Sequence, residues 1–248
     1  MRKRACVFVD GENFRHTICD LFTSFDRTQY LPRRADWAKF YDWLVSKVHL
    51  AGERVRTYWY VVEHMDFFPY RFPDPERETT DLRQLLSRDR RLGREVQGLQ
   101  GGELVDRMRR IVERLRSRQE RMQRRFDGWT AIHNGIAMRH RAIEFRPAGA
   151  IRYNLFDDSF GREKAVDVML ATDLIVLRDI YDIAVIVSGD QDYVPAVKKV
   201  KDFGRSVVNV AFERRDGRLL PGGARRLNQV TDWSVSVSYE DFAQHLGM

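Results

Sequence analysis

Four aspartates on three short segments are the residues of this chain best suited to chemistry. Asp190 and Asp192 stand one residue apart, just after the run Ile183-Ala184-Val185-Ile186-Val187-Ser188-Gly189. Asp10 closes the apolar run from Ala5 to Val9, and Asp167 lies near the start of an apolar segment ending at Leu177. Carboxylates held close together repel one another unless positive charge lies between them, and a divalent cation is the usual answer. An all-oxygen donor set suits Mg2+ or Mn2+ rather than zinc or copper. Such a centre activates water and stabilises charge developing on a phosphate, the chemistry of phosphodiester hydrolysis without a covalent intermediate. A plainer reading stands beside this one. Asp190 also fits the N-cap of an ordinary strand-to-helix turn, and Asp167 also fits compensation of a helix dipole.

The elements that must position these residues read as α/β. Residues 183–187 form a β-branched run expected to be a buried, parallel strand. In open α/β sheets, chemistry sits beyond the carboxyl ends of the strands. Ala5 to Val9 reads as a first strand, with Gly11 allowing a tight turn into a helix that reaches Leu21 or Phe22. Asp36 reads as the N-cap of a helix carrying Trp37, Phe40, Tyr41, Leu44 and Val48 at helical spacing, with Gly52 as its stop signal. Residues 55–62 read as a second strand. Lys164 to Leu177 is apolar almost all round, which predicts a buried helix and makes Asp167 and Asp173 within it conspicuous. Residues 195–203 are expected to be a helix closed by Gly204, and 206–212 a further strand. The chain is expected to finish with a short helix at 227–232 and an edge strand at 233–237. Right-handed crossovers of a parallel sheet bring its strand ends to one edge, so Asp10, Asp167, Asp190 and Asp192 are expected to converge.

The middle of the chain differs in character. Residues 76–97 are highly charged, and Gly98, Gly101 and Gly102 interrupt the chain after them. A long helix is expected from Leu104 to Phe126, with Leu104, Met108, Ile111, Val112, Leu115, Met122 and Phe126 as its apolar stripe. Nine arginines lie from Arg107 to Arg125, against Glu113 and Glu120 alone. Arg114, Arg118, Arg121 and Arg125 are the candidate contacts to a phosphate backbone; a merely solvated face is the alternative. Residues 142–145 and 151–154, joined across Pro147-Ala148-Gly149, read as short strands or a hairpin, followed by a polar loop at 157–161.

Composition narrows the classes. The 248 residues carry a net charge of +7, with 43% hydrophobic and 32% charged residues. That describes a globular chain with a basic surface suited to polyanions, nucleic acid first. No apolar run reaches membrane-spanning length, and the apolar run after the basic N-terminus is too short for a signal-peptide core. The expected location is cytoplasmic. Two cysteines and six scattered histidines give neither a disulfide framework nor a zinc site. Nucleotide-cradling glycine motifs are absent. An aspartyl-nucleophile phosphatase fits poorly, since Glu12 stands where its second aspartate belongs.

Three segments in order, Val9-Asp10-Gly11-Glu12-Asn13, Lys164-Ala165-Val166-Asp167-Val168 and Ser188-Gly189-Asp190-Gln191-Asp192-Tyr193, resemble the signature segments of the NYN domain, of the PIN-like nuclease superfamily. The resemblance covers about residues 4–65 and 142–240. It implies a Rossmann-like, mostly parallel sheet flanked by helices; the chain reads as one domain over 1–248, with a helical arginine-rich insertion at 68–141 that the resemblance does not cover. It also implies a Mg2+- or Mn2+-dependent endoribonuclease whose partner is RNA, structured RNA included. By the resemblance, Asp10, Asp167, Asp190 and Asp192 are metal ligands, and Asn13 and Ser188 orient ligands, water or phosphate. Asp173 matches a recurrent acidic position behind the ligands, and Lys164 a contact to phosphate or carboxylate. Ala165 stands where glycine is often found, a mild change. The alternatives are an RNA-binding scaffold of the same fold without cleavage, and a nuclease acting on structured DNA. The sequence leaves oligomeric state open.

Overall fold

The computed structural model describes residues 2–26, 29–220 and 225–247. In chain order these form β1 (Lys3–Asp10), α1 (Gly11–Leu21), α2 (Trp37–Val48), β2 (Gly52–Phe68), α3 (Thr79–Leu86), α4 (Arg90–Val96), α5 (Gly101–Arg139), β3 (Ile143–Asn154), β4 (Ser159–Lys164), α6 (Val166–Val176), β5 (Ile183–Val187), α7 (Val194–Asp202), β6 (Ser206–Glu213), β7 (Leu219–Leu220), α8 (Arg225–Val230), β8 (Trp233–Val237) and α9 (Tyr239–Leu246). The fold is mixed α/β with a mostly parallel sheet in the order β4-β3-β2-β1-β5-β6-β7, and β8 pairs with β6. No helix among the described residues is long and apolar enough to cross a membrane.

The chain divides into two compact units. The first comprises residues 1–63, 129–149 and 165–248. Its centre is parallel: β1 pairs with β2 on one side and β5 on the other, β5 with β6, and β6 with β8. From β1 the chain moves through α1 and α2 to β2, whereas from β5 it moves through α7 to β6 on the opposite side. The direction of winding therefore reverses between β1 and β5, the point at which ligand crevices form in open α/β sheets. Both strands are buried along their apolar lengths, as the β-branched run at 183–187 predicts.

Gly11 makes a close approach rather than a tight turn. A Cβ there would lie 2.3 Å from the Tyr60 carbonyl oxygen, so only glycine lets α1 start against β2. Gly52, expected as a helix stop, begins β2. Ser238 caps α9, its hydroxyl accepting from the Asp241 N–H at 3.1 Å. Ser-x-x-Asp is the local cue for this helix, an element absent from the expected order.

The second unit comprises residues 64–128 and 150–164. Leu82 and Leu86 of α3, Leu92 and Val96 of α4, and Leu104, Met108, Ile111, Leu115 and Met122 of α5 are buried, so the expected stripe is the packed face. Two expectations need correction. Residues 142–154 are not a hairpin: β3 runs unbroken through Pro147, and the turn lies later, before β4. Asn154 supplies its polar anchor, accepting from the Phe156 N–H at 3.0 Å, and Asp158 takes a left-handed φ of 63°. The long helix likewise runs to Arg139 rather than Phe126. Trp129, His133 and Ile136 continue the three-and-four spacing of buried residues past Gly128 and Gly135, and that packing outweighs the helix-weakening glycines.

Helix α6 also departs from expectation. Val166, Leu170 and Leu174 are buried in the first unit, but Val168 and Val176 are 67% and 61% exposed. The sheet covers one side of this helix; its other side is apolar and open.

His133 is buried in the first unit between the rings of Phe145 and Tyr30, at 4.6 and 5.0 Å. Its Nε2 has no hydrogen-bond partner among the described residues. Burial pushes its pKa from 6.5 down to about 4. The unfolded chain therefore binds the proton first, and stability present above pH 6.5 is lost as pH falls towards 4. His133→Phe should remove on the order of 3 kcal/mol of that pH dependence, read from denaturant midpoints of both proteins between about pH 7 and pH 4. Parallel profiles would show that His133 is not the titrating group.

Candidate metal centre

The site forms at the carboxyl ends of β1 and β5. Register pairs Val9 with Val187, which sets Asp10 beside Ser188. Asp10 is 2% exposed and caps α1, its Oδ1 accepting from the Asn13 N–H at 3.1 Å. Its Oδ2 accepts from the Ser188 hydroxyl at 2.9 Å. That hydroxyl also accepts from the Asp190 N–H at 3.1 Å, and Asn13 Oδ1 accepts from the Gly189 N–H at 3.2 Å. The two strand ends are thus bound by side chains from both motifs. Asp190 accepts from the Asp192 N–H at 2.9 Å and caps a single 3-10 turn over Gln191–Tyr193. The capping reading and the clustering reading are both realised in the same residues.

Asp167, Asp190 and Asp192 converge: one carboxylate oxygen from each lies within 4.8 Å of the others. Asp10 falls outside that trio and joins it through Tyr193. The Tyr193 hydroxyl lies 2.7 Å from Asp167 Oδ1 and 3.2 Å from Asp10 Oδ2. A phenol has one proton to donate, and the shorter contact directs it to Asp167. Burial, then the charges of Asp10 and Asp167, push the Tyr193 pKa far up, so it stays a neutral donor. Burial first, then the neighbouring Asp167, raises Asp10 to about 6 against its donors. Asp167 is raised too, by burial and then by Asp190 and Asp192.

The donor set suits a hard divalent cation. It consists of oxygens alone, and among the described residues none of the four aspartates forms an ion pair with a lysine, arginine or histidine. The backbone before α6 is strained. Ala165, just before α6, has a φ of 74°, a left-handed conformation that explains a glycine preference there and costs a Cβ-bearing residue about 1–2 kcal/mol.

Asp173 is placed differently. Its Oδ2 accepts from the Tyr60 hydroxyl at 2.8 Å and from Arg146, which also pairs with Glu144 at 2.9 Å and lies over the Tyr58 ring. It ties α6 to β2 and β3 instead of joining the trio. Lys164 ends β4 opposite Ala150 in the second unit, and is exposed. Arg114 pairs with Glu95 at 2.9 Å, and Arg118 donates to the carbonyls of Leu155 and Phe156 at 2.7 and 3.3 Å. Arg121 and Arg125 are exposed on α5. Tyr193 has no role by sequence reasoning alone; nothing in its neighbours signals that the ring turns inward.

The family model of the NYN domain, a PIN-like nuclease family, matches residues 71–220. That span holds the segments around Asp167 and Asp190, together with α3, α4 and α5, while Val9–Asn13 precedes it. No curated protein matches. Among solved structures, a protein of unknown function from Vibrio parahaemolyticus is similar at 14% identity and a TM-score of 0.43, over 95% of this chain and 93% of that one.

The crowding has a sign that can be measured. Because the folded-state pKa of Asp10 lies above its ordinary 3.8, the folded protein holds the proton better. Stability without metal falls as pH rises from about 4 to about 6 and stays lowered above that. Asp10→Asn keeps an acceptor for the Asn13 N–H and removes the charge. In EDTA at about pH 8 it should unfold at higher denaturant concentration, by on the order of 2–3 kcal/mol, and the gain should vanish near pH 4. An equal or lower midpoint at the alkaline end would show that the buried carboxylate is not under strain.

Proposed function

The chain belongs to the NYN domain family, and from that premise we propose that it is a divalent-metal-dependent endoribonuclease. The observation that carries the proposal is the trio Asp167, Asp190 and Asp192, with an oxygen of each within 4.8 Å of the others at the reversal point between β1 and β5. Concentrated negative charge with no ion-paired lysine, arginine or histidine among the described residues is poorly suited to a plain phosphate-binding surface. It is well suited to a hard cation. In this reading Asp167, Asp190 and Asp192 hold Mg2+ or Mn2+, and Asp10, outside the trio, adds negative charge beside it and positions Tyr193. A cation there supplies the positive charge that makes water a competent nucleophile and offsets charge developing on the phosphate.

The protein's own residues set the geometry. Tyr193 holds one oxygen of Asp167; the other has no hydrogen bond among the described residues. Ser188 and the Asn13 N–H fix both oxygens of Asp10. Asn13, through the Gly189 N–H, keeps the β5 turn against α1, so the donors are positioned before substrate arrives. Asp173 acts from behind: with Arg146 and Tyr60 it anchors the helix that presents Asp167.

Cleavage of single-stranded RNA, structured RNA and DNA in Mg2+, Mn2+ or EDTA tests the proposal. RNA should be cut with metal and not with EDTA, and Asp167→Asn, Asp190→Asn and Asp192→Asn should each slow cleavage by at least about 100-fold. Cleavage that survives EDTA or these substitutions would sink the site. Preferential cleavage of DNA would move the substrate, and retained binding without cleavage would leave an RNA-binding scaffold.

A further inference from the structure

Between Arg107 and Arg125, helix α5 carries its arginines in two rows, one interleaved with acids and one not. Arg107, Arg110, Arg114, Arg118, Arg121 and Arg125 follow one another at intervals of three and four residues. That spacing keeps them on one face, over about 27 Å of helix. No acidic residue interrupts this row. Glu113 and Glu120, the only acids between Arg107 and Arg125, fall on the neighbouring flank with Arg109, Arg116 and Arg124. There Arg109 pairs with Glu76 and with Asp106 at 2.5 and 2.7 Å, and Arg124 approaches Glu120 at 3.9 Å.

The uninterrupted row is differently occupied. Among the described residues the side chains of Arg107, Arg110 and Arg121 have neither a hydrogen bond nor an ion pair, and all three residues are exposed. Arg114 has one partner, Glu95, in a half-exposed pair of the kind worth little in water and readily exchanged for a phosphate. Arg118 belongs to the fold: its guanidinium holds the Leu155 and Phe156 carbonyls, the second shared with Arg91 at 3.1 Å. Like charges packed at successive helical turns destabilise a helix, so a row of this length without acids calls for an external anion.

We propose that this row is a docking ridge for the sugar-phosphate backbone of RNA, with Arg107, Arg110 and Arg121 as its principal contacts and Arg114 joining by exchange. The choice of RNA rests on the endoribonuclease proposal. The regular spacing of guanidinium groups fits backbone contacts that position without reading sequence.

The test is the salt dependence of binding to a fluorescent single-stranded RNA, followed by anisotropy in EDTA. Each phosphate contact on a single strand contributes about 0.7 to the slope of log K against log salt. The triple variant Arg107→Gln, Arg110→Gln, Arg121→Gln should flatten the slope by about 2. The matched triple Arg109→Gln, Arg116→Gln, Arg124→Gln removes the same charge from the other flank and should leave the slope within about 0.5 of the parent. Arg118 is kept, and circular dichroism confirms that both triples fold. Equal flattening by the two triples would mean a net-charge effect and overturn the ridge, as would an unchanged slope in the first. Because EDTA reads binding without cleavage, failure here is distinct from failure of the metal site.

Discussion

The parallel pairing of β1 with β5 is the constraint on which the rest depends. Once Val9 lies beside Val187, the residues at the two strand ends have nowhere to go except towards one another. A carboxylate at the end of one strand and a hydroxyl at the end of the other meet at hydrogen-bond distance. Each turn then borrows donors from the other: Ser188 serves Asp10, and Asn13 takes the Gly189 N–H. Gly11 belongs to the same constraint, since α1 can leave β1 at this angle only if nothing projects towards the Tyr60 carbonyl. The site is therefore a consequence of strand order rather than of one flexible loop.

Much of this is legible in the sequence, because strand ends and helix starts have local signatures. A β-branched run followed by Ser-Gly-Asp, and an apolar run followed by Asp-Gly-Glu-Asn, announce where chains emerge from a sheet. Fold logic then brings them to one edge. Tyr193 is not legible, because whether a ring after a tight turn faces solvent or carboxylates is decided by the helix lying opposite. Asp173 is not legible as an anchor either, since Arg146 and Tyr60 come from two other elements. The β3–β4 turn is misplaced for a related reason: Pro147 and Gly149 carry the strongest local turn signals, yet continuous sheet pairing overrides them. The end of α5 is hidden by glycines whose weak propensity gives way to buried Trp129, His133 and Ile136.

Charge is arranged in two opposite ways in this chain. The first unit concentrates carboxylates at the strand ends, and the second aligns arginines along one face of α5. A carboxylate centre does not attract a polyanion, so a phosphodiester-cleaving protein built on one needs affinity from elsewhere, and a strongly basic surface is the ordinary source. The net charge of +7 is thus compatible with an acidic centre.

The costs at the site identify it as well as its contacts do. Asp10 and Asp167 are both held above their ordinary pKa, by burial first and then by neighbouring carboxylates, and Tyr193 offers one proton to two acids. Ala165 adds a left-handed backbone immediately before the helix that presents Asp167. A structure selected for stability alone would relieve each of these, for example with an asparagine at position 10. Their concentration within a few residues of one strand edge, while the adjoining core is apolar and closely packed, is the pattern expected where a fold gives up local stability to keep charges ready for an ion it does not itself supply.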